Sequence, residues 1–135
     1  MESAKKILTD AGLRATNQRL EIVSVLLRSP TPLSIEKILR KCKGQTPDMA
    51  TAYRTVRELE SVGITESVDV GHGHAHFELK RGDHHHLVCA KCGKTAEIEN
   101  CEIESFEKKV LKRENDFKTI HSHRLTFFGL CKRCG

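Results

Sequence analysis

The chain has 135 residues, a formal net charge of +5, six cysteines, eight histidines and no tryptophan. This length allows one ordinary domain, or two small ones whose thin cores would gain stability from metal binding or dimerisation. No apolar run approaches the about 18 residues of a membrane-spanning helix, and no apolar signal segment follows the N-terminus, so we expect a cytoplasmic protein without a membrane partner.

Residues 1–80 are predicted to form helices followed by a β-hairpin. Apolar residues recur at helical spacing in the first three helices, and Thr16 and Ser34 are predicted to cap the second and third. A fourth helix is predicted from about Asp48 to Val62. Its buried stripe is expected to contain four residues: Met49, Ala52, Val56 and Leu59.

After Gly63, apolar residues recur at every second position. This spacing predicts strands at 64–70 and 76–80 around a glycine- and histidine-rich turn. Helices followed by such a hairpin indicate a winged helix-turn-helix, with the fourth helix as recognition helix and the hairpin as wing. Four polar side chains of that helix are candidates for DNA contacts: Thr51, Tyr53, Arg54 and Arg57. A helix with two arginines is on its own more often a solvated surface.

Residues 81–83 (Arg-Gly-Asp) are predicted to form a hinge to a second domain at 84–135. Strands are predicted at 85–88, 95–99 and 123–130, with a helix over about 102–115. This is the pattern of a small α/β domain, and the expected fold class of the whole chain is α+β.

Two Cys-x-x-Cys pairs form the strongest metal-binding pattern. Cys89 with Cys92 and Cys131 with Cys134 can supply the four thiolates of a tetrahedral zinc site. Four thiolates leave no open coordination position, so the zinc would be structural. Two unrelated pairs of reduced thiols are the alternative.

Histidines and carboxylates around the first pair suggest further metal sites. Alternation along a strand would place His84 and His86 on one face and His85 on the other. The first face, with Glu78 and Glu97, offers the mixed nitrogen and oxygen donors that suit iron, manganese, zinc or nickel. A third set on the other face would be Asp83 or His85, Glu104 and His123, unless these are ordinary surface residues.

Four segments in chain order resemble the ferric uptake regulator family: GLRATNQR at 12–19, ATAYRTVRELESVG at 50–63, HHHLVCAKCGK at 84–94 and HRLTFFGLCKRC at 123–134. The resemblance implies a homodimeric, metal-dependent repressor that binds a double-stranded, A·T-rich inverted-repeat operator. Each subunit would have an N-terminal winged helix (1–80) and a C-terminal dimerisation domain.

The resemblance also implies roles for residues of this chain. It assigns the structural zinc to Cys89, Cys92, Cys131 and Cys134. It assigns the regulatory metal in part to Glu78, His84, His86 and Glu97, and an additional metal to His85, Glu104 and His123. The DNA contacts would come from Tyr53 and Arg54, with Arg14 near the minor groove.

Three departures from the family pattern bear on the sensed metal. Pro32 stands where the family often has a histidine ligand, so Glu66 or His76 is a candidate replacement. Glu78 stands where zinc sensors commonly have cysteine, which favours iron or manganese. Glu97 stands where peroxide sensors rely on aspartate, which disfavours that branch. We expect Fe(II) as regulatory metal, with Mn(II) or Zn(II) as alternatives.

The order of the regulatory ligands predicts a mechanism. Glu78 precedes the hinge and His84 follows it, so a bound ion would tie the two domains together. That would favour the dimer whose recognition helices match major grooves about 34 Å apart.

A zinc hydrolase is a different class of function, but the chain lacks an HExxH motif, and we expect no enzymatic activity. Metal buffering would leave the helix-turn-helix unexplained.

Overall fold

The computed structural model describes residues 2–44, 46–71, 73–81, 84–99 and 102–135. The chain divides into two compact units, Met1–Lys80 and Arg81–Gly135. The residues outside these ranges include His72 of the predicted turn, Gly82 and Asp83 of the predicted hinge, and Cys101. No helix in the described ranges is long and apolar enough to cross a lipid bilayer.

Four helices build most of the N-terminal unit: α1 Glu2–Asp10, α2 Asn17–Arg28, α3 Ile35–Lys41 and α4 Met49–Ser61. The predicted N-caps are confirmed, since the hydroxyl of Thr16 accepts from the Arg19 amide (3.4 Å) and that of Ser34 from the Lys37 amide (3.3 Å). The carboxylate of Asp48 caps α4 by accepting from the Thr51 amide at 2.7 Å.

A three-stranded antiparallel sheet completes this unit: β1 Leu33–Ser34, β2 Thr65–Asp69 and β3 Ala75–Leu79, in the order β1-β3-β2. β2 and β3 form the predicted hairpin. Phe77 in the central strand is fully buried and packs in one core with residues of all four helices. The hairpin is therefore held against the helix-turn-helix by apolar packing.

The predicted stripe of α4 is confirmed for three of its four residues, because Ala52, Val56 and Leu59 are fully buried. Met49 was wrongly predicted as buried, and 47% of its surface is exposed. It is the first residue of α4. The apolar spacing continues to that residue, but the core does not cover it.

The C-terminal unit contains β4 His85–Cys89, β5 Thr95–Ile98, α5 Glu104–Arg113 and β6 Thr126–Gly129. β4 is the central strand, antiparallel to β5 and parallel to β6. The last strand is shorter than predicted, since pairing with β4 begins only at Thr126. Helices together with two small sheets confirm the α+β class.

The core of the C-terminal unit is thin. The buried residues in the described part of this unit all lie on β4: His85, His86, Val88 and Cys89. α5 has no buried residue. Eight large apolar side chains of the unit are exposed instead: Leu87, Ile98, Phe106, Val110, Phe117, Phe127, Phe128 and Leu130.

Candidate metal centres and nucleic-acid interface

The four cysteines of the two Cys-x-x-Cys pairs come together at one end of the C-terminal sheet. Their Sγ atoms all lie within 4.8 Å of one another. The Sγ atoms of Cys92 and Cys131 are 3.8 Å apart. A tetrahedral zinc site with Zn–S bonds of about 2.3 Å has sulfur atoms about 3.8 Å apart. The spacing of these thiols therefore fits a four-thiolate zinc site.

Tight turns orient the thiols of the first pair. The amide of Gly93 donates to the carbonyl oxygen of Cys89 at 2.9 Å, and Gly93 has a φ of 81°, which a residue with Cβ adopts at a cost. Backbone amides of Cys92 and Cys131 that point at the Cys89 sulfur lower the pKa of Cys89 to about 5. Amides aimed at sulfur favour the thiolate, which is the form that binds metal.

The second pair is closed by its own turn. The amides of Cys134 and Gly135 donate to the carbonyl oxygen of Cys131 at 3.0 Å and 2.9 Å. The Ala90 amide donates to the carbonyl of Gly129 at 2.8 Å and thereby joins the two cysteine turns. A zinc ion bound by all four thiolates would have no open coordination position for a substrate.

One face of β4 and β5 holds the ligands that the C-terminal unit is predicted to supply to the regulatory metal. The rings of His84 and His86 are 5.0 Å apart. Glu97 on β5 lies directly opposite His86 in the strand register, and one of its oxygens is 3.9 Å from Nε2 of His84. Two imidazoles and one carboxylate thus share one face of this sheet.

His84 is held in one orientation by the backbone. Its Nδ1 lies 3.0 Å from the carbonyl oxygen of Arg81. A carbonyl only accepts, so Nδ1 carries a proton, and in the neutral ring the lone pair is on Nε2, on the side of Glu97. Fixing a histidine through its second nitrogen is the usual way in which proteins orient a metal ligand.

Arg81 contacts the same carboxylate and was not singled out as a site residue from the sequence. Its guanidinium lies 3.1 Å from one oxygen of Glu97 and 3.2 Å from the other. Both distances are from the same nitrogen, Nη2, so a single guanidinium nitrogen bridges the two carboxylate oxygens. Arg81 and a metal ion would therefore compete for Glu97.

The remaining candidates for the regulatory metal belong to the wing of the N-terminal unit. Glu66 on β2 lies directly opposite Glu78 on β3, and His76 is two residues before Glu78. Residues opposite each other, and residues two apart, share one face of a sheet, so these three side chains lie on the face away from Phe77. Glu78 is buried.

The other face of β4 carries His85, as alternation predicted. His85 is buried, and its Nε2 is 3.2 Å from Nε2 of His123. The carboxylate next to His123 belongs to Glu107, with an oxygen 2.6 Å from Nδ1. Glu104 was the predicted third member, but it is exposed at the start of α5. Glu104 and Glu107 are about one helical turn apart, so sequence spacing does not show which of them contacts His123.

The exposed side of α4 carries the predicted DNA-contacting residues. Tyr53 is 43% exposed, and its ring meets that of Phe77 edge to face at 6.3 Å between centroids. Arg54 is exposed and donates to the hydroxyl of Thr51 at 3.3 Å. This side of α4 therefore presents a guanidinium, a phenol and a hydroxyl to solvent.

Arg57 is held by other side chains of the N-terminal unit. It donates to the hydroxyl of Tyr53 at 2.9 Å, to the carboxylate of Glu60 at 3.0 Å and to the hydroxyl of Ser67 at 3.3 Å. Its guanidinium carbon also lies 5.2 Å from the centre of the Tyr53 ring. Arg57 therefore connects α4 to β2 of the wing.

Arg14 lies in the exposed loop before α2, and a second arginine fixes its backbone. Arg19 donates to the carbonyl oxygen of Arg14 at 3.0 Å and forms an ion pair of 2.6 Å with Glu58 of α4. Arg19 thus links the Arg14 loop to α4. In the sequence, Arg19 stood out only as part of the 12–19 motif, and this role was not predicted.

The comparisons with known proteins agree on one family. The model of the ferric uptake regulator family matches residues 10–128. The chain is 36% identical over 141 residues to the ferric uptake regulation protein of Bacillus subtilis, covering 99% of this chain and 93% of that protein.

Solved structures give the same result. The ferric uptake regulator of Vibrio cholerae has a TM-score of 0.77 and 32% identity, over 94% of this chain and 98% of that one. The regulator of Helicobacter pylori, whose structure reveals three functional metal binding sites, has a TM-score of 0.76 and 30% identity, over 98% of this chain and 89% of that one. This chain therefore belongs to the ferric uptake regulator family of metal-responsive, DNA-binding transcription regulators.

Proposed function

We propose that this protein is a homodimeric repressor that binds an A·T-rich inverted-repeat operator when a divalent metal, with Fe(II) favoured over Mn(II) and Zn(II), occupies its regulatory site. The observation that carries the proposal is the group formed by His84, His86 and Glu97 on one sheet face, with His84 oriented by a backbone carbonyl. Nitrogen and oxygen donors without a thiolate suit Fe(II) and Mn(II).

Glu78 is the further ligand that the family resemblance implies, with Glu66 or His76 in addition, and this part of the proposal rests on the sequence. Glu78 precedes the boundary between the units at Lys80, and His84 follows it. Ligands taken from both units would couple metal binding to domain orientation. The coupling is limited to the difference in metal affinity between the DNA-competent form and the other forms.

The proposed operator contacts come from α4 and the loop before α2. Tyr53 and Arg54 would contact bases and backbone, Thr51 would add a hydroxyl contact, and Arg14 would lie near the minor groove. The exposed guanidinium of Arg54 and the exposed phenol of Tyr53, near the capped start of α4, suit contacts to base edges and phosphates.

The test is operator binding measured by fluorescence anisotropy at fixed salt. Protein that keeps its four-cysteine zinc would be stripped of other metal and titrated anaerobically with buffered Fe(II), Mn(II) and Zn(II) in turn. We expect tight binding of an inverted-repeat duplex only with metal. Of the three metals, Fe(II) should activate binding at the lowest free concentration relative to its cellular range. Equal binding without metal would overturn the proposal. Metal affinity without binding to any duplex would favour metal buffering.

Arg57 is proposed to position Tyr53 rather than to contact a phosphate. We expect Arg57→Gln to weaken operator binding about 10-fold, because Tyr53 loses a hydrogen bond from a charged group worth about 1.5–3 kcal/mol. The salt dependence of binding should not change, since no phosphate contact is removed. Anisotropy titrations over a salt series measure both quantities.

Arg54→Gln is the matched control for that variant. It removes the same charge from the same helix and should lower the slope of log affinity against log salt by about one. If Arg57→Gln lowers the slope as Arg54→Gln does, Arg57 contacts the DNA backbone, as the sequence suggested.

The homodimer is proposed from the thin C-terminal core and its exposed apolar residues. We expect Phe106→Glu, on α5, to shift the protein from dimer to the 15.2 kDa monomer, because a charge in a buried interface is costly. Sedimentation equilibrium measures the mass. Ser105→Glu adds the same charge about 100° round the helix and should leave the dimer intact. A dimeric Phe106→Glu protein would show that this face of α5 lies outside the interface.

A further inference from the structure

Two imidazoles in the C-terminal unit face each other, and a carboxylate lies behind one of them. His85 on β4 is buried, and Nε2 of His123 is 3.2 Å from its Nε2. On the far side of the His123 ring, Nδ1 is 2.6 Å from an oxygen of Glu107. The side chains of His123 and Glu107 are only 19% and 25% exposed.

The carboxylate determines which nitrogen of His123 carries the proton. An ionised carboxylate only accepts hydrogen bonds, so Nδ1 of His123 must donate to Glu107. In the neutral ring this leaves the lone pair on Nε2, directed at His85. Without metal, Nε2–H of His85 can donate a hydrogen bond to this lone pair at 3.2 Å, and a bound cation would take the place of that proton.

The separation of the two nitrogens fits a shared metal ion. With metal–nitrogen bonds of about 2.0–2.1 Å, two ligands are about 3.4 Å apart at a tetrahedral angle and about 3.0 Å apart at a right angle. The 3.2 Å between His85 and His123 lies between these two values.

We propose that Glu107 is the positioning residue of a His85–His123 metal site. It does not bind the ion; it accepts the Nδ1 proton of His123 and so fixes the tautomer and ring orientation that present Nε2. A carboxylate behind a histidine ligand also makes the ligand more basic. The inference rests on the additional metal site assigned to His85, Glu104 and His123, and it gives Glu107 a role distinct from that of Glu104.

The first measurement reads the tautomer of His123 directly. Long-range ¹H–¹⁵N spectra of the full-length protein, with its four-cysteine zinc and no other metal, would be recorded at pH 8, above the ordinary histidine pKa of about 6.5. His123→Gln identifies the signals. We expect the Nδ1–H form in the unmodified protein and in Glu107→Gln, which keeps an acceptor oxygen. Glu107→Ala should give a mixture of tautomers.

The second measurement is Zn(II) affinity at this site, by competition with a chromophoric chelator. We expect Glu107→Ala to bind about 10–100-fold more weakly, with Glu107→Gln in between. Glu104→Gln is the matched control on the same helix: it can weaken binding, but it should leave the His123 tautomer unchanged.

Two results would overturn the inference. One is an Nδ1–H tautomer that persists in Glu107→Ala with unchanged Zn(II) affinity. The other is an Nε2–H tautomer in the unmodified protein. Neither readout uses DNA, so failure of the proposed regulator function would appear separately, in the operator titration.

Discussion

Cys92→Ser is expected to yield protein that lacks the proposed structural zinc and has an unfolded C-terminal unit. Four-cysteine zinc binding supplies about 10–16 kcal/mol of apparent free energy in small zinc domains. The buried residues described for this unit are confined to β4, so its apolar core cannot replace that contribution. Zinc content by mass spectrometry and C-terminal amide dispersion by NMR measure the two losses.

Cys42→Ser is the matched control, because Cys42 lies at the end of α3 in the other unit, outside the four-cysteine group. It should retain one zinc per chain and the spectrum of the unmodified protein. A Cys92→Ser protein that keeps both its zinc and its C-terminal fold would show that the four thiols are not the structural site.

The second large effect is expected for His86→Gln, which removes a proposed ligand of the regulatory metal. His86 is buried and opposite Glu97. Loss of a residue that only orients a metal ligand costs about 10–100-fold in metal affinity. Loss of the ligand itself should therefore cost at least about 100-fold. The free metal concentration at half-maximal operator binding should rise by that factor, while the weak affinity without metal stays the same.

His121→Gln serves as the control for the histidine substitution. His121 is an exposed histidine of the same unit, whose ring contacts the Thr119 hydroxyl at 3.3 Å. The His121→Gln protein should reach half-maximal operator binding at the same free metal concentration as the unmodified protein. If His86→Gln also responds unchanged, His86 is a structural histidine of β4 and the regulatory site must be sought elsewhere.

Much of this architecture could be predicted from local patterns. Polar side chains before apolar runs predicted the caps at Thr16 and Ser34, because capping depends on residues three apart in sequence. Alternation predicted the two faces of β4. By contrast, β1 has only two residues and is too short to show a period, and β6 begins only where a partner strand supports it.

The details that remained beyond the sequence are contacts between distant residues. Glu104 and Glu107 share one side of a helix, and only the position of His123 shows which one it meets. Arg57 looked like a DNA contact because helical spacing places it near Arg54. That prediction stays open, but the guanidinium also donates to Ser67, on a strand that the sequence does not orient relative to the helix.

The central strand β4 limits which insertions, deletions and substitutions this protein can tolerate. His84 at its edge, His85 and His86 within it, and Cys89 at its end belong to the three metal-binding groups proposed above, so one pleated segment sets the distances among them. A one-residue slip of a strand exchanges its two faces. An insertion or deletion here would thus misplace all three groups at once. In the proposed sites, metal preference would be adjusted on the surrounding elements, through Glu78, Glu97 or Glu107, while the length of β4 would stay fixed.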